Sequence, residues 1–145
     1  MREVYHPGYG SHAAAPAVTR ANARRLLIAS SGALALVGGA ATFAPVELLR
    51  ALGTLPAAPM PIVVQLLGAL YLSFAITNWT AKGAPIGGIY SRPISLGNLL
   101  HFTMGAIALA KYAATHGGSP ALLLLLAGYV LFAALFGWLV FGPVE

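Results

Sequence analysis

The sequence predicts an all-α membrane protein, a bundle of four transmembrane helices with a short interfacial helix after the first. Three observations carry this. Of 145 residues, 59% are hydrophobic and only 8% are charged, whereas a soluble domain carries about a quarter of its residues as Asp, Glu, Lys and Arg. Four apolar runs, Leu26 to Ala44, Ile62 to Trp79, Ser95 to Ala114 and Ala121 to Phe141, are separated by Pro- and Gly-rich breaks. The shortest run has 18 residues, which at about 1.5 Å per residue covers roughly 27 Å, enough for the hydrocarbon core of a bilayer. The basic residues, finally, fall unevenly between the two sides that this topology defines.

Residues 1–25 form a polar, turn-rich tail ahead of a transmembrane domain over 26–145. Within the tail, Tyr5, His6, Tyr9 and His12 lie among Pro7, Gly8 and Gly10 and read as an aromatic segment that packs against a partner surface. His6 and His12 sit six apart in a turn-forming stretch, a spacing with no established metal geometry. Arg20, Arg24 and Arg25 precede the first run. The stretch around them resembles a twin-arginine export signal, but the further apolar runs downstream favour a retained first span.

Pro45 suits the first position of a helix. In the segment after it, Val46, Leu48, Leu49, Leu52 and Leu55 lean to one side, with Glu47 and Arg50 on the other and Gly53 as a stop. That is the pattern of a short helix lying flat at the interface. Pro56, Pro59 and Pro61 lead into the second span, which ends at Trp79 where an interfacial aromatic belongs. Residues His116 to Pro120 make a tight turn before the fourth span, which holds no charge.

With both ends inside, the cytoplasmic side holds Arg2, Arg20, Arg24, Arg25, Lys82 and Arg92, and the outer side holds Arg50 and Lys111. This positive-inside bias predicts that both termini face the cytoplasm. Helices in lipid associate through close fit, so small residues mark their contacts. Candidates are Ser31, Ala35 and Gly39 on the first span, Gly68 and Ala75 on the second, Ala106 and Ala110 on the third, and Ala133 and Gly137 on the fourth. Gln65 and Ser73 read as interhelical hydrogen-bonders, and the leucine run of the fourth span as a face for lipid or a partner protein.

The longest polar interruption, from Asn78 to His101, holds the candidate ligand site: Asn78, Lys82, Tyr90, Arg92, Asn98 and His101. With a helix start at Ser95, His101 lies six residues in, about 9 Å along the axis. An ionisable group at that depth is a functional hypothesis by default. Asn98 shares its helical face and is positioned to bond to it or to a common ligand. The competing structural reading is a neutral histidine bonded to Asn78 or to a freed carbonyl, fastening two spans together. Contact with a lipid or quinone head group is the main functional alternative, and axial ligation of a haem or chlorophyll metal a lesser one. Lys82 and Arg92 flank a Gly-rich segment without the spacing of a phosphate-binding loop. Their plainer role is contact with anionic lipid head groups.

Composition also excludes. There is no Cys and no Asp, and Glu3, Glu47 and Glu145 are the only acidic side chains. Thiol chemistry, paired-carboxylate catalysis and acid-relay ion transport therefore lack their residues. A net charge of +5 without a soluble basic face does not point to nucleic acid. The sequence thus reads as a non-enzymatic protein with no predicted cofactor or metal. First comes an accessory subunit docking on other subunits of a larger membrane complex, respiratory and photosynthetic assemblies included. The alternatives are a small lipid or quinone-type ligand binder or transporter, and a homo-oligomeric channel.

The order FAPVELLRALG, then QLLGALYLSFAITNW, then a short basic loop, then LGNLLHF resembles that of small uncharacterised four-span bacterial membrane proteins with a DoxX-like layout. The likeness covers about residues 26–141, and Asn78-Trp79 with Gly97-Asn98 is its most specific part. It implies the four-span topology and a place in a bacterial inner membrane, and transfers no site.

Overall fold

The structure, a computed structural model, describes residues 18–83 and 91–143. Five helices follow in order: α1 (Arg20–Phe43), α2 (Pro45–Ala51), α3 (Met60–Ala81), α4 (Ser91–His116) and α5 (Pro120–Phe141). α1, α3, α4 and α5 are each long and apolar enough to cross a membrane. The expected four-helix membrane bundle with a short helix after the first span is therefore the fold, and no strand occurs among the described residues. Tyr5, His6, Tyr9, His12 and Tyr90 lie outside the described residues.

The helix boundaries follow local chemistry. Thr19 caps α1 by accepting a hydrogen bond from the Asn22 amide (3.2 Å), and Ser119 caps α5 through the Leu122 amide (3.2 Å). These caps satisfy amides that the first helical turn leaves unpaired. Proline sits in the first turn of α2, α3 and α5, where its missing N–H costs nothing. Gly53 (φ +86°) ends the α2 segment and Gly117 (φ +75°) makes the turn after α4, both in the left-handed region that glycine enters freely.

Two helices begin earlier than hydropathy suggests. Arg20, Arg24 and Arg25 lie within α1, not before it, and α4 starts at Ser91 and so includes Arg92. Long basic side chains at a helix end reach the interface while their backbone stays helical, so charge marks the membrane boundary and not the end of the helix.

The chain runs up α1, down α3, up α4 and down α5. One end of the bundle, the basic end, gathers the starts of α1 and α4 and the ends of α3 and α5. There the Val18 amide donates to the Pro143 carbonyl at 2.7 Å, and Val18 is fully buried against Gly142. The other end carries α2 and the turn after α4. Here Ser119 Oγ donates to the Ala51 carbonyl (3.0 Å), tying α2 to the start of α5. On α2, Leu48, Leu49 and Leu52 turn inward and Glu47 and Arg50 outward as expected, but Leu55 is exposed.

α1 packs closely along α3, and α4 along α5, while these two pairs meet each other mainly through long side chains. The α1–α3 seam keeps Ser31 of the expected Ser31/Ala35/Gly39 row and then runs one residue earlier: Ala35 is exposed and a side chain on Gly39 would meet nothing within 4 Å. The contact row is Ser31, Leu34, Gly38 and Ala41, with Gly38 facing Gly68 so tightly that an added Cβ would lie 3.0 Å from the Gly68 carbonyl oxygen. Ser31 Oγ donates across the seam to the Ala75 carbonyl (2.7 Å), and Gln65 Nε2 to the Thr42 carbonyl (3.3 Å). Ser73, expected to do likewise, bonds back to Ala69 of its own helix (2.9 Å) and is exposed. On α5, Leu123 and Leu124 are exposed whereas Leu122 is buried, so the leucine run is divided between outside and core.

Candidate functional site

Asn78 and Asn98 do not reach outward to a ligand; they clasp each other. Asn78 Nδ2 donates to Asn98 Oδ1 (2.8 Å), and Asn98 Nδ2 donates to Asn78 Oδ1 (2.7 Å). Asn78 also donates to Ser30 Oγ (3.0 Å), the Ser30 hydroxyl donates to the Leu27 carbonyl (3.1 Å), and Asn98 Nδ2 donates to the Ile94 carbonyl (2.9 Å). With Asn78 and Asn98 0% and 1% exposed, this closed network joins α1, α3 and α4 on the basic side of mid-bundle. Buried amides are retained in lipid only when paired in this way. The expected pairing of Asn98 with His101 does not form, because Asn98 has both ends of its amide engaged elsewhere.

His101 sits deeper than a helix start at Ser95 implies. Counted from Ser91 it lies ten residues into α4, about 15 Å along the axis and close to the middle of a bilayer. It is half-buried, stacked on Phe74 (5.2 Å between ring centroids) and edge-on to Tyr71 (5.2 Å) and Phe102 (5.1 Å). Its Nε2 lies 3.3 Å from the Tyr129 hydroxyl, and that hydroxyl donates a short hydrogen bond to the hydroxyl of Tyr71. With Tyr129 donating to Tyr71, the His101 contact is an Nε2–H donated to the Tyr129 oxygen. This assignment leaves the Tyr71 proton as a donor and His101 Nδ1 as an acceptor, the pair a ligand group with both a carbonyl and a hydroxyl edge would use.

Glycine makes room for this cluster. A Cβ on Gly105 would lie 2.4 Å from Tyr129 Cδ1, so the Tyr129 ring rests directly on the α4 backbone. Behind it, Phe102 stacks between Phe132 (4.9 Å) and Phe136 (5.8 Å), fixing the wall on which Tyr129 stands.

Two cavities flank the tyrosine pair. A lateral pocket of about 450 Å³ opens between α3 and α4 and is lined by His101, Phe74, Leu100, Met104 and both tyrosines. A larger apolar vestibule of about 500 Å³ lies between α1, α2, α3 and α5. Its lining uses the second half of α1 (Leu34, Ala41) and the first halves of α3 (Val64, Leu67) and α5 (Leu124, Gly128), so it runs from the α2 end to mid-bundle. Tyr71 and Tyr129 line both cavities.

The charged candidates stand apart from this cluster. Lys82 projects its ammonium over the Trp79 ring, 2.7 Å from the centroid, at the basic end. Loss of hydration, and secondarily the Arg24 charge, hold its pKa below the ordinary lysine value. Arg92 is exposed in the first turn of α4. These cations stand at the basic end of the bundle, about half a helix length from His101. Sequence reasoning missed Tyr71 and Tyr129. The signal present was their depth: tyrosine in membrane proteins concentrates at the interfaces, and one buried in mid-span needs a hydrogen-bond partner. Compared with models of known protein families, with curated proteins and with solved structures, the chain matches none.

Proposed function

We propose that this is a non-enzymatic membrane protein that binds a lipophilic small molecule of the lipid or quinone class in the lateral pocket. The observation that supports it is the His101–Tyr129–Tyr71 hydrogen-bonded cluster on the wall of a cavity at mid-bilayer depth. Hydrogen-bonding groups are costly in hydrocarbon, and a simple helix fastener is already supplied by the Asn78–Asn98 clasp. A polar head would take the Tyr71 and His101 groups while its ring stacks near Phe74, and an apolar tail would leave between α3 and α4 into the lipid. Of the sequence candidates, His101 is the one this reading assigns to the ligand. Lys82 and Arg92 contact anionic head groups at the basic end.

An accessory subunit is the second reading, favoured by the exposed apolar face of α5 formed by Leu123, Leu124, Val130 and Leu131. The pocket ranks first because lipid covers such a face as readily as a partner does, whereas the buried cluster needs its own reason. The basic end, with Arg20, Arg24, Arg25, Lys82 and Arg92, faces the cytoplasm of a bacterial inner membrane in this proposal, consistent with the DoxX-like four-span layout.

The test uses a decyl-substituted benzoquinone as probe and the protein in lipid nanodiscs. Since the chain has no Cys, a single Met104→Cys substitution reports on the lateral pocket. The probe should protect that thiol from N-ethylmaleimide, and His101→Leu should weaken protection about tenfold, the loss expected for one hydrogen bond in a desolvated site. Equal protection with and without the imidazole removes the reading.

A further inference from the structure

Among the described residues, the lateral pocket and the vestibule share two lining residues, Tyr71 and Tyr129, and these are bonded to each other through their hydroxyls. We propose that this tyrosine pair is a gate, and that the ligand of the lateral pocket passes through it into the vestibule and leaves at the α2 end. The protein is then a conduit between the middle of the bilayer and one surface. This rests on the ligand reading given above and extends it from holding to passage.

Three features fit a partition that opens. The first is the location of the pair, at the meeting of α3 with α4 and α5, where the α1–α3 and α4–α5 units touch through side chains and not through close backbone approach. Within the units, Gly38 and Gly68 bring the α1 and α3 backbones into contact and the Tyr129 ring rests on the α4 backbone at Gly105, so motion is concentrated between the units. The second is a retained partner. When Tyr129 leaves Tyr71, its oxygen keeps the contact with His101 Nε2 at 3.3 Å, so opening gives up one hydrogen bond and does not leave the Tyr129 hydroxyl wholly unpaired in an apolar interior. The third is the one-sided seal. Beyond the pair toward the basic end, the Asn78–Asn98 clasp, Phe136 and Val18 close the bundle and are all fully buried or nearly so, whereas the vestibule extends the other way, along the first half of α5. A ligand crossing the pair has one way out.

Passage is tested with a second reporter. A side chain at Gly128 meets nothing within 4 Å, so Gly128→Cys places a thiol in the vestibule without a clash. In nanodiscs, the decyl-substituted benzoquinone should protect both the Met104→Cys and the Gly128→Cys thiols from N-ethylmaleimide. Adding Tyr129→Phe keeps the ring and leaves the Tyr71 and His101 groups for the ligand, but removes the pair bond. Protection at Met104→Cys should then keep its extent, while protection at Gly128→Cys should develop about tenfold faster, the factor for one net hydrogen bond removed from a barrier. If Tyr129→Phe loses its helical circular dichroism, Tyr71→Phe serves instead and is read at the vestibule thiol alone, with the same faster rate expected. An unchanged rate at Gly128→Cys means the probe enters by the vestibule mouth and overturns the gate, as does an unprotected Gly128→Cys thiol. Failure at Met104→Cys in the otherwise native chain sinks the ligand reading itself, so the two failures are told apart.

Discussion

Gly68→Ala should destabilise the bundle by about 1–3 kcal/mol, the usual penalty for forcing a methyl group into a packed seam. The new Cβ would lie 2.5 Å from Thr42 Oγ1, 2.7 Å from the Thr42 nitrogen and 2.9 Å from the Gly38 carbonyl oxygen. Two of those atoms are backbone, so relief requires the α1 and α3 axes to move apart. That movement would also loosen the Ser31–Ala75 and Gln65–Thr42 bonds that cross the same seam. The Thr42 hydroxyl is already buried with no hydrogen-bond partner among the described residues, so rotating it away gains it nothing obvious. Gly39→Ala is the matched control, one residue along α1 with nothing within 4 Å of the added methyl. Alanine is preferred over glycine in helices by up to about 1 kcal/mol, so this variant should be neutral or stabilised. Unfolding in mixed dodecyl sulfate micelles, followed by circular dichroism, measures both. Equal midpoints for the two variants would remove the Gly38–Gly68 contact as the basis of α1–α3 packing.

Asn78→Ala should cost about 2 kcal/mol, above the average for a polar contact in a bilayer protein and within the range for orphaning a buried polar group. The substitution removes three bonds together, two to Asn98 and one to Ser30, and leaves the Asn98 carbonyl oxygen without its donor in a site from which water is excluded. Asn98→Ala strands Asn78 in the same way. The double variant should cost less than the sum of the singles by about 1 kcal/mol, because each single penalty includes the partner left unpaired. The same titration reads this coupling. Strict additivity would mean that the two amides act independently and that the clasp contributes nothing as a pair.

Hydropathy and length made the four spans legible, and proline and glycine placement made the α2 segment and the turns legible. These are one-dimensional signals: a bilayer of fixed thickness and a backbone with few exceptions. The start of α1 at Arg20 was hidden because arginine looks like loop in a hydropathy reading, although its reach keeps it compatible with helix. The seam at Gly38 was hidden because α1 carries small residues on several faces, and only the position of α3 decides which face is used. The Asn78 and Asn98 positions drew notice as polar residues, but their reciprocal bond depends on how α3 and α4 rotate, which no local pattern encodes. Tyr71 and Tyr129 are 58 residues apart and meet only in the assembled bundle. A chemical cluster built from one residue per helix leaves no spacing to read.

The amide-to-carbonyl link between Val18 and Pro143 makes the first turn of α1 depend on the segment that follows α5. The groove that receives Val18 is made in part by Gly142, so that turn stays unanchored until α5 has docked. Deleting Gly142 and Pro143 should therefore speed amide hydrogen exchange at the start of α1 more than at the end of α5.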